Sequence, residues 1–460
     1  MKKALFLILF AGSIQAQNTR NTEITLGEFL GYVKRFHPIV KQANLIVDEG
    51  DAKLMKAKGA FDPQIEIDYA KKEFQEKEYY NSLNTTFKIP VWYGIDIKTN
   101  FENNNGIYLN PENRLPSNGL YTAGVSMSIG QNMFINKRMA LLKQAKNYAK
   151  QTKALQKLTV NKILYNAALT YFSWVRNYNE KEIYKEFVQN SETRFQSIVK
   201  TFELGDRPAI DTLEAKIALD TRKLNYEKAK IKFLKSTLEL SNFLWLKNNI
   251  PVEIKNTIRP NIHLLENIDL HLKTSDFEVA QYVLMNHPQL KFLALKINNL
   301  RIEKRLKRNN LLPKIELDYN FLYENKRELN IINNSNYKAG LTVKLPVFLR
   351  KERADFKLAR LKLQDKNYEQ YMTELKLKNQ LSSIVQELES IQTQYEMTTD
   401  IVQSYEKLVE AEERRFFLGE SSLFLVNSRE SKLIELQLKA NQTLNDLLNM
   451  KGKLFNTMVR

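Results

Sequence analysis

The sequence predicts an α+β membrane protein. Its internally duplicated protomer packs long α-helices as a coiled-coil barrel and lends its strands to a transmembrane β-barrel shared between copies. Three observations point there. Landmark residues recur in the same order in two halves of the 460-residue chain. Each half carries a helical run free of proline and glycine, roughly 66 residues or roughly 100 Å at about 1.5 Å per residue. The strand segments alternate apolar with polar residues.

The chain opens MKKALFLILFAGSIQAQ, with two lysines, an apolar run from Ala4 to Ala11 and small residues up to Ala16. That is the pattern of a secretory signal peptide over residues 1–16. The apolar run is too short to span a bilayer, and no stretch of about twenty apolar residues follows it. Helices are therefore not expected to hold this chain in a membrane. Cysteine is absent, which excludes a disulfide framework, thiol chemistry and a lipid-acceptor cysteine after the leader. The net charge of +18, lower by two once Lys2 and Lys3 leave, would suggest nucleic acid on a cytosolic protein. Export and the many acids interspersed among the bases favour solvated helix faces instead. Anionic lipid or cell-wall polymer is a weaker reading, and no nucleic-acid partner is expected.

The first repeat is placed at 17–244: a helix, β-strands within 64–130, a long helix 139–204, a turn at Gly205 and a helix 209–243. The second is placed at 276–460: a helix, strands within 314–346, a long helix 351–418, a turn at Gly419 and a helix 421–458. Residues 245–275, with two prolines and no period, link them. Thr25 with Glu28, and Ser275 with Glu278, are spaced as capping boxes that start helices. His37-Pro38 matches His287-Pro288, Pro63–Tyr69 matches Pro313–Tyr319, Tyr121–Val125 matches Tyr337–Leu341, and Phe202–Gly205 matches Phe416–Gly419. The interval from Tyr69 to Tyr121 is longer than that from Tyr319 to Tyr337. The excess includes NTTFKIPVWYGIDIKTNFE, two alternating runs around a turn, which reads as an additional hairpin. Heptad positions fall at Ile210, Leu213, Ile217, Leu224, Ile231, Leu234 and Leu238, and again at Val426, Leu433, Leu436, Ala440, Leu447, Met450 and Leu454. They predict helical hairpins packed as coiled coils with the glycines at their tips. The helices 26–60 and 209–243, end to end, match one long helix, as do 276–312 and 421–458, giving four near-parallel rods of about 100 Å.

Ile65, Ile67 and Tyr69 oppose Glu66 and Asp68; Ile315, Leu317, Tyr319 and Phe321 oppose Glu316, Asp318 and Asn320; Val125 and Leu341 begin similar runs. A soluble sheet with one face on a core gives this alternation, and so do barrel strands with lipid on one side and a polar lumen on the other. Four to six strands cannot close alone, and an open edge in hydrocarbon costs several kcal/mol per unpaired group. An exported chain with duplicated strands and long rods fits pooled strands in the outer membrane, continued by helices across the periplasm.

Through the duplication, the Phe-x-Leu-Gly turns and the stretch Leu204-Gly205-Asp206-Arg207-Pro208-Ala209-Ile210-Asp211-Thr212-Leu213-Glu214-Ala215, the mature chain resembles the TolC-like outer membrane efflux proteins. The resemblance implies a homotrimer in the outer membrane, reaching into the periplasm as the exit duct of a tripartite efflux or type I secretion system. The implied partners are a periplasmic adaptor (membrane fusion) protein, an inner membrane transporter of RND or ABC type and outer membrane lipid. Leu204, Gly205, Asp206 and Arg207, with Leu418, Gly419, Glu420 and Ser421, would be the adaptor-docking tips. Each glycine also reads as a plain left-handed helix end, and both can hold. Asp211 matches a carboxylate that helps latch the closed state, making it a periplasmic gate residue. Where some relatives carry an inward acidic ring this chain has Leu425 and Ser428, so a cation-binding constriction does not carry over, and an apolar gate at Leu425 is the alternative. The family commonly has four strands per protomer, from which the extra hairpin departs.

Trp92 and Tyr93 fit either an interfacial aromatic girdle or ordinary sheet packing. His37, His263, His271 and His287 show no ligand spacing. No phosphate loop, nucleophile elbow or catalytic carboxylate pair is present, so neither enzymatic activity nor a cofactor is expected. The alternative function is a periplasmic coiled-coil scaffold without channel activity.

Overall fold

A computed structural model describes residues 23–255, 257–261, 264–272, 284, 286–325 and 335–459. The leader at 1–16, the Ser275 and Glu278 pair, and His263 lie outside them. The elements, in order, are β1 (Glu23–Ile24), α1 (Leu26–Phe36), α2 (Pro38–Lys58), β2 (Gln64–Phe74), β3 (Lys77–Pro90), β4 (Ile95–Asn105), β5 (Leu120–Gly130), α3 (Lys137–Glu203), α4 (Ala209–Ser241), β6 (Arg259–Pro260), α5 (Leu264–Leu272), α6 (Pro288–Asn309), β7 (Lys314–Tyr323), β8 (Tyr337–Lys344), α7 (Arg350–Phe417) and α8 (Leu423–Met458). The described residues form two compact units. One is drawn from Met1–His37, Leu164–Ser275 and Gln386–Lys453, the other from Pro38–Ile163, Asp276–Val385 and Leu454–Arg460.

In the first unit the Thr25 box caps α1: the Thr25 hydroxyl accepts from the Glu28 amide at 3.3 Å, and the Glu28 carboxylate accepts from the Thr25 amide at 3.1 Å. The helix expected over 26–60 breaks at His37, which is extended at φ −63°, ψ 133°. Pro38 explains the break, because proline bars the α conformation from the residue before it. The core is aromatic. Phe29, Tyr171, Phe172 and Trp174 are fully buried, Trp174 stacks on Phe233 at 6.1 Å, and its indole N–H donates to Thr237 Oγ1 at 2.9 Å. The Tyr171 hydroxyl donates to the Ile24 carbonyl at 2.7 Å, steadying the parallel pair of β1 with β6. The linking segment is more ordered than its lack of period suggested: α5 buries Leu264, Ile268 and Leu272.

The heptad reading of α4 requires a correction. Ile210, Leu213, Ile217, Leu224, Ile231, Leu234 and Leu238 are all exposed, from 38 % to 70 %. The helix instead packs within the protomer through Ala215, Leu219, Arg222, Ala229, Phe233, Ser236 and Leu240. Small residues on that stripe let the helices approach closely around Phe233 and Trp174, an advantage in contact area that a hydrophobicity pattern does not register. The α8 heptads do face inward, with Val426, Leu433, Leu447 and Leu454 buried.

In the second unit β2, β3, β4, β5, β7 and β8 form one antiparallel sheet in that order. The additional hairpin is β3 with β4, paired from Asn81 with Asn105 to Pro90 with Asp96. Arg138, in the first turn of α3, ties its turn down by donating to Asp96 Oδ1 at 2.8 Å and to the Val91 carbonyl at 3.2 Å. The order passes directly from β5 to β7, joining strands from the two halves of the chain. Here Gly124 is required: a Cβ would fall 2.1 Å from Asn320 Oδ1 and 2.3 Å from the Tyr319 carbonyl oxygen.

One sheet face is apolar and open to its surroundings. Across the register, Ile65, Phe87, Thr99, Ala123, Phe321 and Tyr337 form one row, and Ile89, Ile97, Val125, Tyr319 and Ala339 the next. The most open side chains on this face run from 36 % exposed at Met127 and Leu317 to 70 % at Ile65, while Ile89, Ala123 and Phe321 are half-buried. The opposite face carries Glu66, Asp68, Lys88, Asp96, Lys98, Glu316, Asp318 and Lys344. Lys88 reaches Asp96 at 3.0 Å, and Lys98 on β4 reaches Asp318 on β7 at 3.7 Å. Among the described residues no helix is long and apolar enough to cross a membrane. Phe233→Ala should cost about 3–5 kcal/mol, read as a lower thermal midpoint by circular dichroism in detergent.

Candidate functional site

The turns at the ends of the two long helices share one geometry, and each side chain around them has an assignable footing. At the first, Gly205 has φ +82°, its amide donates to the Phe202 carbonyl at 2.9 Å, and the Asp206 amide donates to the Thr201 carbonyl at 3.0 Å. At the second, Gly419 has φ +78°, with the Gly419 amide on Phe416 at 3.1 Å and the Glu420 amide on Arg415 at 2.9 Å. Both are Schellman ends, which satisfy carbonyls the helix leaves unpaired. Nothing lies within 4 Å of a Cβ built at either glycine, so glycine answers a backbone demand here, and the turns stay open to solvent.

Arg207 joins the two turns. Its guanidinium reaches Asp211 Oδ2 at 3.3 Å and lies over the Phe416 ring at 4.3 Å. Asp211 is thus held by its own turn, which in turn leans on the other. Asn427 donates to Glu214 at 3.2 Å, adding a second bridge from α8 to α4. On the second turn Ser421 donates to Glu412 Oε1 at 2.6 Å and Arg429 to its Oε2 at 2.8 Å. The Ser421 hydrogen bond, with the Arg429 bond and charge behind it, holds the Glu412 carboxyl below the usual carboxylate range. Ile198, Ala215, Phe416, Leu423 and Val426 form the buried footing.

Outside that footing Leu204, Leu418, Phe417 and Phe424 stand exposed, from 67 % to 80 %. The sequence reading picked the two leucines and missed the phenylalanines. For Phe417 the signal was the doublet Phe416-Phe417, of which one ring turns out when the other turns in. Leu425 and Ser428 lie exposed on one face of α8, with the Leu425 amide capped by Ser422 Oγ at 3.3 Å.

Further along the helices sits a cluster the sequence reading did not find. Arg194 of α3 grips Glu430 of α8 with two hydrogen bonds of 2.7 Å and also reaches Glu413 of α7 at 2.5 Å. Arg222 of α4 reaches Glu430 at 2.5 Å and donates to Ser191. Three helices therefore meet on the Glu430 carboxylate, whose side chain is 1 % exposed, and the fourth, α7, joins through Glu413 on Arg194. Burial opposes the charge on both arginines. For Arg222 it wins and lowers the pKa; for Arg194 the bonds and charges of Glu430 and Glu413 outweigh it and raise the pKa. Burial pushes the Glu413 carboxyl up. An acid lying between Val426 and Leu433 on the packed stripe of α8 was the available clue.

His37 and His287 are structural. Burial lowers the pKa of His37, which packs against Phe243 and Trp245. Burial lowers that of His287 against the opposing pull of the Thr457 carbonyl, 3.1 Å from its Nε2, and its Nδ1 accepts from the Gln289 amide at 3.2 Å. No group of metal-ligating side chains occurs among the described residues. Glu430→Ala should destabilise by about 3–5 kcal/mol, because two buried arginines lose their counter-charge. Glu410→Ala, at the exposed Arg414 pair, should cost no more than about 1 kcal/mol. Thermal midpoints of the two variants check the contrast.

Residues 279–452 match the family model described as outer membrane efflux protein. No curated protein sequence matches the chain. Several solved structures share the fold at low identity, three of them as follows. The Campylobacter jejuni CmeC outer membrane channel aligns with TM-score 0.64 and 14 % identity, over 94 % of this chain and 85 % of that one. The Neisseria gonorrhoeae MtrE outer membrane channel, in its open state, gives 0.66 and 10 %, over 94 % and 88 %. The Vibrio cholerae outer membrane protein VceC gives 0.64 and 12 %, over 94 % and 95 %. By that domain in its second half, and by a fold shared along nearly its whole length, the chain is similar to outer membrane efflux proteins.

Proposed function

We propose that three copies of this duplicated protomer form one outer membrane channel, the exit duct of a tripartite efflux or type I secretion system. The observation that carries the proposal is the two-faced sheet. Its apolar face is exposed over six strands, its other face is charged, and its outer strands β2 and β8 have free edges. Lipid on the first face, water on the second and a neighbouring copy at each edge satisfy all three conditions at once. The exposed heptad stripe of α4 supports association of the helices as well, since apolar residues at that period fit another helix rather than water. The duct moves solutes and carries out no chemistry.

The tips then dock the adaptor. Leu204, Phe417, Leu418 and Phe424 offer an apolar crown on a rigid footing, and Gly205, Asp206, Arg207, Gly419, Glu420 and Ser421 shape the turns that present it. The inner membrane transporter supplies the energy through that adaptor. Asp211, held by Arg207 against Phe416, latches the two tips of one protomer, and Leu425 with Ser428 lines the gate. An apolar ring at Leu425 closes by excluding water.

Cell fractionation followed by unheated and heated gels should find a heat-labile trimer in the outer membrane. A soluble periplasmic monomer or dimer would favour the coiled-coil scaffold. Ile231→Lys places a charge in the exposed stripe of α4, and burying it between copies costs several kcal/mol. Most of that variant should run as monomer without heating, with helical content unchanged. Leu425→Ser should raise the conductance of the resting channel in planar bilayers; an unchanged conductance removes Leu425 from the gate.

A further inference from the structure

We infer that the additional hairpin β3–β4 is part of the barrel wall, so that the channel crosses the outer membrane as an eighteen-stranded barrel, six strands from each of three copies. The inference rests on the shared-barrel reading above and goes beyond it, since four strands per protomer would give twelve.

Four features place the hairpin in the wall. First, pairing is unbroken: β3 bonds to β2 along one edge and to β4 along the other, and β4 bonds to β5. The hairpin thereby fills the space between β2 and β5, which without it would have to pair with each other. Second, its faces continue those of its neighbours. Ile89, Phe87, Ile95 and Ile97 lie in the same rows as Ile65, Val125 and Met127, while Lys88, Asp96 and Lys98 lie in the charged rows. A hairpin folded into the lumen as a plug, or lying over the outside, would break that agreement.

Third, the hairpin has aromatic residues at both ends. Trp92, 41 % exposed, and Tyr93, 58 % exposed, occupy its turn, with Trp92 on Phe61 at 5.0 Å. At the other end Tyr79 lies 4.6 Å from Tyr108, and further in Phe101, paired with Thr85, lies 4.6 Å from Tyr121. Two aromatic belts separated by an apolar band are what a bilayer selects. The strands, of 14 and 11 residues, have the length to reach from one belt to the other. Fourth, an even number of strands leaves β2 and β8 running in opposite directions, so the joint between copies is antiparallel like every other pair in the sheet.

Adding two strands per copy widens the pore. At about 4.8 Å between strands and a tilt of about 40°, the backbone radius rises from about 12 Å for twelve strands to about 18 Å for eighteen. A barrel of that size holds an aqueous channel, so the outer membrane segment admits bulkier solutes than a twelve-stranded duct, and selection by size falls to the helical part.

Electron cryo-microscopy of the purified wild-type trimer in lipid nanodiscs counts the strands directly. Eighteen strands with residues 77–105 in the wall are expected, and removal of 77–105 should give twelve and a barrel narrower by about a third. A wild-type trimer whose barrel has twelve strands, with the hairpin outside or within the lumen, overturns the inference and leaves the shared barrel standing. A wild-type chain that needs no detergent and does not form a trimer overturns both. Should the shortened chain fail to assemble, the wild-type strand count alone decides.

Discussion

Backbone amides and carbonyls at the edge of a sheet must find partners, and hydrocarbon offers none. Much else in this structure follows from that constraint. Six strands on one chain cannot close by themselves, so in the barrel proposed above their two outer edges meet other copies. The number must be even if the joints are to match the antiparallel pairing inside the sheet. In the barrel proposed above, the face turned to lipid has to be mainly apolar, and on this sheet isoleucine, leucine, valine and aromatic residues run through both halves of the chain and through the inserted hairpin. The opposite face is free to be charged because water reaches it. Arg138 and Asp96 then tie the start of a long helix to the sheet, so the wall and the rods share one register at that point.

The helical unit meets a different demand, which is to be apolar on more than one side without dissolving into a disordered cluster. It does so by giving the faces different textures. The inward stripe of α4 combines Ala215, Ala229 and Ser236 with Phe233 and Leu240, permitting close approach and one interlocking fit. The outward stripe consists of isoleucines and leucines at heptad spacing. Reading by hydrophobicity selects the outward stripe, because it is the more apolar, and assigns it to the wrong partner. Packing inside the protomer is governed by fit, which a residue-by-residue scale does not contain. The same reasoning explains why the buried Glu430 escaped notice, since a lone acid reads as surface until its two arginines are brought from other helices.

What was legible followed from short-range rules repeated over many residues. Strand alternation, the unbroken helical runs of α3 and α7, the Thr25 cap and the glycine turns all rest on local geometry, and each stands where the sequence placed it. The inserted hairpin was legible for the same reason. The break at His37 was within reach through Pro38. The small helix α5 was not, because nine residues are too few for a period to stand out. At the tips the leucines and glycines were readable from a motif, whereas the exposure of Phe417 depends on which of two adjacent rings the core accepts, and that of Phe424 on the core accepting Leu423 beside it.

The cluster of Arg194, Arg222, Glu413 and Glu430 also sets a mechanical limit. It lies about three helical turns from Gly205, roughly 16 Å along the helix. Sliding one helical hairpin past the other at that level would uncover a buried carboxylate and two guanidinium groups together. The cluster therefore acts as a fulcrum: hairpin ends can swing or twist beyond it, but shear cannot propagate through it. Beyond the fulcrum the restraints are lighter, with Arg207 on Phe416 and Asn427 on Glu214, both near the surface. Stiffness falls stepwise toward the turns, so in the duct proposed above any dilation of the inner end is confined to a short lever.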